Sequence, residues 1–153
     1  MDQNKLLVIE QLDAKFDKLR IIREIQRPDK GWVNTIRKAI NMSLRQLGKR
    51  MKLSVPAVRE IELRESEGTI TLNKLRESAE ALNCELHYFL LPRGLSLDAM
   101  IEEKALLIAG EVVKRSSHTM KLENQRVSEQ RIKRATTERM LIIKNKLPRY
   151  LWD

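Results

Sequence analysis

The stretch SLRQLGKRMKLSVPAVREIELR, Ser43 to Arg64, constrains this chain more than any other. Leu44, Leu47 and Met51 recur at spacings of three and four, and Val58 and Ile61 three apart, so each half presents one apolar face of a short helix. Gly48 is small where a second helix must cross closely. Ser54 can cap that helix, and Pro56 suits its first turn, where backbone N–H groups lack intrahelical partners. Two helices crossing steeply through a tight turn form a helix-turn-helix, whose second helix enters the DNA major groove.

Charge agrees with such a partner. The 153 residues leave room for one compact domain plus an extension, with a formal net charge of +9. Residues 30–65 hold nine Lys/Arg against three Glu, whereas residues 1–29 balance at zero and 66–97 sum to −1. Positive charge gathered on the DNA-reading segment is the electrostatic footprint of a nucleic-acid partner. The single cysteine, Cys84, excludes an intramolecular disulfide, and two histidines 31 positions apart imply neither a metal site nor a cofactor. The first apolar run, LLVIE, is broken by charge, so no secretory signal is expected, and no run approaches membrane-spanning length. The expectation is a cytoplasmic protein that is not an enzyme, since no nucleophile–base pair or Gly-rich phosphate loop is present.

In chain order, Leu6, Ile9, Leu12, Phe16, Leu19 and Ile22 stripe an N-terminal amphipathic helix over 4–26, within a first region of residues 1–28 ended by Arg27-Pro28. It packs either on the body of the domain or on a partner chain. Residues 29–83 form the helix-turn-helix domain. Trp32, Val33, Ile36 and Ile40 stripe its first helix, placing Trp32 in the core, with Arg37 and Lys38 off the stripe and free to reach phosphate. Glu65 to Ile70 make a polar turn, and Thr71 caps a helix carrying Leu72, Leu75, Ala79 and Leu82. Residues 84–95 are a strand and linker: Tyr88 and Phe89 favour a short β-strand over 84–91, paired across a dimer or with a partner protein, with a fifth helix as the alternative. Residues 96–153 are a helical extension, capped by Ser96 and interrupted at Ser116-Ser117. Its later apolar residues are too sparse for a strong core, and Tyr150, Leu151 and Trp152 cluster after Pro148. The fold class is mainly α, a Cro/cI-like bundle with these additions.

In the first turns of the reading helix, Val55, Pro56, Arg59 and Glu60 lie away from the Val58–Ile61 face and can point into the groove, with Ala57 beside them. Val55 and Pro56 suit a thymine methyl, Glu60 can accept from cytosine N4, and Arg59 can donate to guanine or phosphate. Arg45, Lys49, Ser54 and Arg64 are placed to anchor phosphates, Gln46 is a further DNA-binding candidate, and such domains bind as two-fold homodimers.

Residues 31–82 resemble Cro/cI-type (Xre family) domains. The fuller resemblance is to a bacterial family called mobile mystery protein A, carried by GW before the first helix, LNCELHYFLLPR, HTMKLENQ and a terminal LWD. Leu44 departs from the wider repressor pattern, which often has a phosphate-binding Gln there, and Lys52 stands where Gly commonly takes the left-handed turn. Members resemble antitoxins encoded beside a Fic-domain protein, and the Fic fold commonly transfers AMP from ATP to a hydroxyl. The resemblance therefore implies that Thr119, Glu123 and Asn124 form a Fic-inhibitory motif, [ST]-x-x-x-E-[GN], with Thr119 and Glu123 on one helix face. In that mechanism the glutamate pairs bidentately with the arginine that would otherwise hold the ATP γ-phosphate. The expectation is a repressor and antitoxin that neutralises a Fic-type AMP-transferase. The alternative is a plain helix-turn-helix regulator whose C-terminal region only dimerises.

Overall fold

A computed structural model describes residues 3–122 and 128–153, and the side chains of 3 and 119–122 are outside that description. The helices are α1 (Gln3–Leu19), α2 (Trp32–Ala39), α3 (Leu44–Met51), α4 (Val55–Glu67), α5 (Leu72–Ala81), α6 (Leu97–Leu122) and α7 (Glu129–Lys146), with 3-10 turns at Arg20–Glu24 and Arg149–Trp152. They form two compact units, one of residues 22–90 and one combining 1–21 with 91–153.

In the unit of residues 22–90, Val33, Leu47, Val58 and Leu82 are buried together, with Ile36, Leu44, Met51, Leu53 and Leu75 packed around them. Three of its helices, α3, α4 and α5, start where hydroxyl side chains can satisfy the free first-turn N–H groups. Ser43 Oγ accepts from Gln46 N while Gln46 Oε1 accepts from Ser43 N, a reciprocal capping box. Ser54 and Thr71 cap α4 and α5 by accepting from Ala57 N and Lys74 N. Gly68, at φ 76°, ends α4 in the left-handed conformation. The turn expected from Glu65 therefore begins only at Gly68, and Glu65 is still helical.

In the other unit α6 packs along α7, burying Ile101, Ala105, Ala109, Met140, Ile143 and Leu151. The expected break at Ser116-Ser117 is absent: the helix runs on to Leu122, with Ser116 Oγ donating to Val112 O at 3.1 Å inside it. The C-terminal helix, expected to lack a strong core, supplies three of these six residues once the 3-10 turn is counted with it. Asp13 on α1 reaches the start of α6, accepting from Leu97 N at 2.7 Å and Asp98 N at 3.1 Å. The N-terminal helix is also shorter than expected. It tightens to 3-10 geometry at Arg20, and the β-branched Ile21, Ile22 and Ile25 that follow are weak helix formers.

The β-strand expected over 84–91 is not found; no strand occurs among the described residues. The fifth-helix alternative is not found either. A strand exists only through ladder hydrogen bonds to a neighbour, and a single helical chain offers none.

Candidate nucleic-acid interface

The α3–α4 crossing depends on Gly48. A Cβ there would lie 2.6 Å from Leu53 O and 3.4 Å from Val58 Cγ2, so only glycine lets the turn close over the helix. Leu53 N then donates to Gly48 O at 2.8 Å. Lys52 takes the left-handed conformation at φ 57°, ψ 39°, making the turn that glycine more commonly makes.

This crossing exposes Arg45, Gln46 and Lys49 on α3, and Ser54, Pro56, Arg59, Glu60 and Arg64 in and before α4. Val55 and Ala57 are half-buried at its edge. Glu60 Oε1 accepts from Arg64 Nε at 2.9 Å, with both side chains more than half exposed. Such a pair contributes little and opens readily to another partner. Thr119 lies on α6 without a described side chain, and Glu123 and Asn124 lie outside the described residues.

Arg37 is a correction. Placed off the apolar stripe and expected to reach phosphate, it is buried, and its guanidinium holds Glu62 on α4. Trp32, expected in the core, is 44% exposed and lies at the edge of an apolar groove. Glu65 is buried too; its carboxylate accepts from Trp32 N at 2.7 Å and Val33 N at 2.9 Å. It thereby caps α2, whose own N-cap, Gly31, has no side chain to do so. Arg27 adds hydrogen bonds to Glu65 O and Ser66 O.

The sequence reading missed Glu62 and Glu65 as structural acids, although the signal was present. Positions 58, 61, 62 and 65 form one helical stripe, and an acid on a buried stripe requires a donor facing it. Their burial also sharpens the surface electrostatics. Residues 30–65 expose eight Lys/Arg and only one acid, Glu60, which is itself paired. The exposed charge of this surface is thus almost wholly positive, which suits a polyanion.

A groove of about 480 Å³ lies beside α2 and α5, lined by Trp32, Ile36, Leu75, Leu82, Cys84 and Phe89 among others.

Residues 33–89 match the family model described as Helix-turn-helix. The chain thus carries a helix-turn-helix segment of the DNA-binding kind. No curated protein and no solved structure matches the chain. Among the described residues, no helix is long and apolar enough to cross a membrane.

Proposed function

We propose that this chain is a sequence-specific DNA-binding repressor that grips its operator as a two-fold dimer in the bacterial cytoplasm, associated with the nucleoid when bound. The observation that carries this reading is the charge arrangement of residues 30–65: eight exposed cations, with two of the segment's three acids withdrawn into the interior. Arg45, Gln46, Lys49, Ser54 and Arg64 anchor phosphates; Val55, Pro56, Ala57, Arg59 and Glu60 face the bases. The chain acts by binding rather than catalysis.

The test is binding to duplex DNA from upstream of its own reading frame, measured against random duplex while salt is varied. A specific regulator prefers its site by about 10³-fold or more. Equal affinity for both duplexes overturns the reading.

The finer reading rests on the resemblance of HTMKLENQ to the Fic-inhibitory motif. Glu123 enters the ATP site of a Fic-domain partner and takes the arginine meant for the γ-phosphate, with Thr119 and Asn124 beside it. ATP then binds only in a pose unsuited to attack at its α-phosphate. AMP transfer by the neighbouring Fic-domain protein, with and without this chain, tests it. Loss of transfer that Glu123→Gly restores supports an antitoxin. Unchanged transfer leaves a regulator whose C-terminal region serves only to dimerise it.

A further inference from the structure

Charge divides unevenly between the two long helices of the unit that holds residues 91–153. From Leu97 to Leu122, α6 has four Lys/Arg and four Asp/Glu, whereas from Glu129 to Lys146 α7 has six Lys/Arg and only two Glu. Two of the α7 cations are neutralised: Arg134 pairs with Glu138, and Lys144 with Asp98 and Glu102. The side chains of the other four, Arg131, Lys133, Arg139 and Lys146, are exposed and make no ion pair among the described residues. Arg131, Arg139 and Lys146 share one line along the helix with Ala135 and Ile142, at steps of four, four, three and four residues. All five positions on the line are exposed, and none is an acid. Met140 and Ile143 take the core-facing side.

We infer that Arg131, Arg139 and Lys146 form a second, sequence-independent contact with the phosphates of duplex DNA, outside the helix-turn-helix. This rests on the DNA partner of the proposed function, but not on that partner's being a specific site.

Three observations choose DNA over an acidic protein face. The line carries charge of a single sign, and protein–DNA interfaces are far more positive than protein–protein ones, whose cores are depleted in lysine. Its cations are unpaired, so binding phosphate displaces counterions from DNA without first breaking an ion pair on the protein. Its spacing also suits a duplex. At a rise of about 1.5 Å per residue, Arg131 and Arg139 stand about 12 Å apart and Arg139 and Lys146 about 10 Å. The major groove is about 12 Å wide, so phosphates on its two edges fall within reach of neighbouring long side chains.

The test is binding of the full-length chain to a random-sequence duplex, followed by fluorescence anisotropy across a salt series. Arg131→Gln/Arg139→Gln/Lys146→Gln removes the line with a residue of similar helix propensity. Lys15→Gln/Lys18→Gln/Lys104→Gln removes the same charge from exposed positions on α1 and α6. Both variants should keep the wild-type circular dichroism and thermal unfolding. Each phosphate contact adds about 0.9 to the log–log salt slope. The line variant should therefore lower that slope by about two to three per chain bound, and the control by less than about one half. A fall that exceeds the control's by less than about one overturns the inference, and is the result expected if the line serves an acidic protein instead. The three single variants, each read against the control, decide the matter should the triple variant unfold. A chain that binds its upstream DNA and random duplex equally overturns the repressor and leaves the slope difference intact. Retained site preference with unchanged slopes overturns only the line.

Discussion

Arg37 and Glu62 meet fork to fork inside the helix-turn-helix unit: Nε donates to Oε1 at 2.6 Å and Nη2 to Oε2 at 3.1 Å, with each side chain only 8% exposed. Nη1 also donates to Met42 O at 2.9 Å, and Asn34 Nδ2 donates to Glu62 Oε2 at 2.5 Å. One ion pair thus ties α2 to α4 and to the turn before α3. Removing one partner strands a buried charge, whereas replacing both with apolar groups does not. Glu62→Ala should cost about 3–5 kcal/mol in urea unfolding, and Arg37→Met/Glu62→Leu far less. A double variant as unstable as the single would show that the pair is not the unit that matters.

Glu65 and Gly31 form a second tie. The Glu65 carboxylate caps α2 from across the fold, and a Cβ on Gly31 would lie 2.6 Å from its Cδ and Oε2. Gly31 also stands at φ +79°, which strains any L side chain. Glu65→Ala should cost about 1–2 kcal/mol by loss of the cap. Gly31→Ala should cost about 2 kcal/mol or more, since strain and displacement of the cap combine. Thermal unfolding of the full chain reads both, and a Gly31→Ala protein as stable as the wild type would refute this account.

What could be read from sequence here was local. Ser43, Ser54 and Thr71 each precede an apolar stripe and each caps a helix, and the spacing of Leu47 and Val58 marked the core. What escaped depends on groups distant in sequence. Arg37 looked solvated because its partner, Glu62, lies 25 residues away. Ser116-Ser117 looked like a break, although a serine hydroxyl can bond back to its own helix and packing on α7 holds that helix together. The 84–91 strand was read from side-chain preference, which cannot provide a ladder partner. Of the candidate DNA contacts, the exposed set was legible because the buried stripe of α4 points the other way.

Base-facing and phosphate-facing residues should separate in binding. Arg59→Ala and Glu60→Ala should each cost about 1–3 kcal/mol on the specific site and relax base preference there. Lys49→Ala should weaken specific and random duplex alike and lower the salt dependence by about one unit of log–log slope. Competition titrations at several salt concentrations distinguish these patterns. If Arg59→Ala weakens all sequences equally, that side chain is a phosphate contact and the helix is docked differently.

Lys52 offers a stabilising change. Its left-handed backbone costs a residue with a Cβ about 1–2 kcal/mol, and glycine avoids that while losing more entropy on folding. The net gain for Lys52→Gly should be about 0.5–1 kcal/mol, seen as a higher urea midpoint with an unchanged slope. The variant also removes an exposed cation, so nonspecific DNA binding should weaken slightly if Lys52 faces phosphate. A fall in stability would mean that the Lys52 side chain holds the turn in some other way.

Lys144 ties α7 to the start of α6 by donating to Asp98 Oδ2 at 2.8 Å and Glu102 Oε2 at 2.6 Å. Burial by itself would lower the pKa of this ammonium; the hydrogen bonds and charges of Asp98 and Glu102 outweigh it and hold the pKa above the ordinary lysine value. A cation with a raised pKa in the folded state contributes stability that is complete below the unfolded lysine pKa. That stability is lost as pH climbs through the folded one. Stability of the wild type should therefore fall on the alkaline side, beyond ordinary lysine titration, whereas Lys144→Met should be less stable at neutral pH and lack this part of the alkaline loss. Both carboxylates are about half exposed, so the neutral-pH difference should stay near 1 kcal/mol or below. Urea unfolding at neutral pH and above pH 10 reads the difference, and a gap between the two proteins that does not narrow as pH rises would show that the lysine acts through its methylene packing, not its charge.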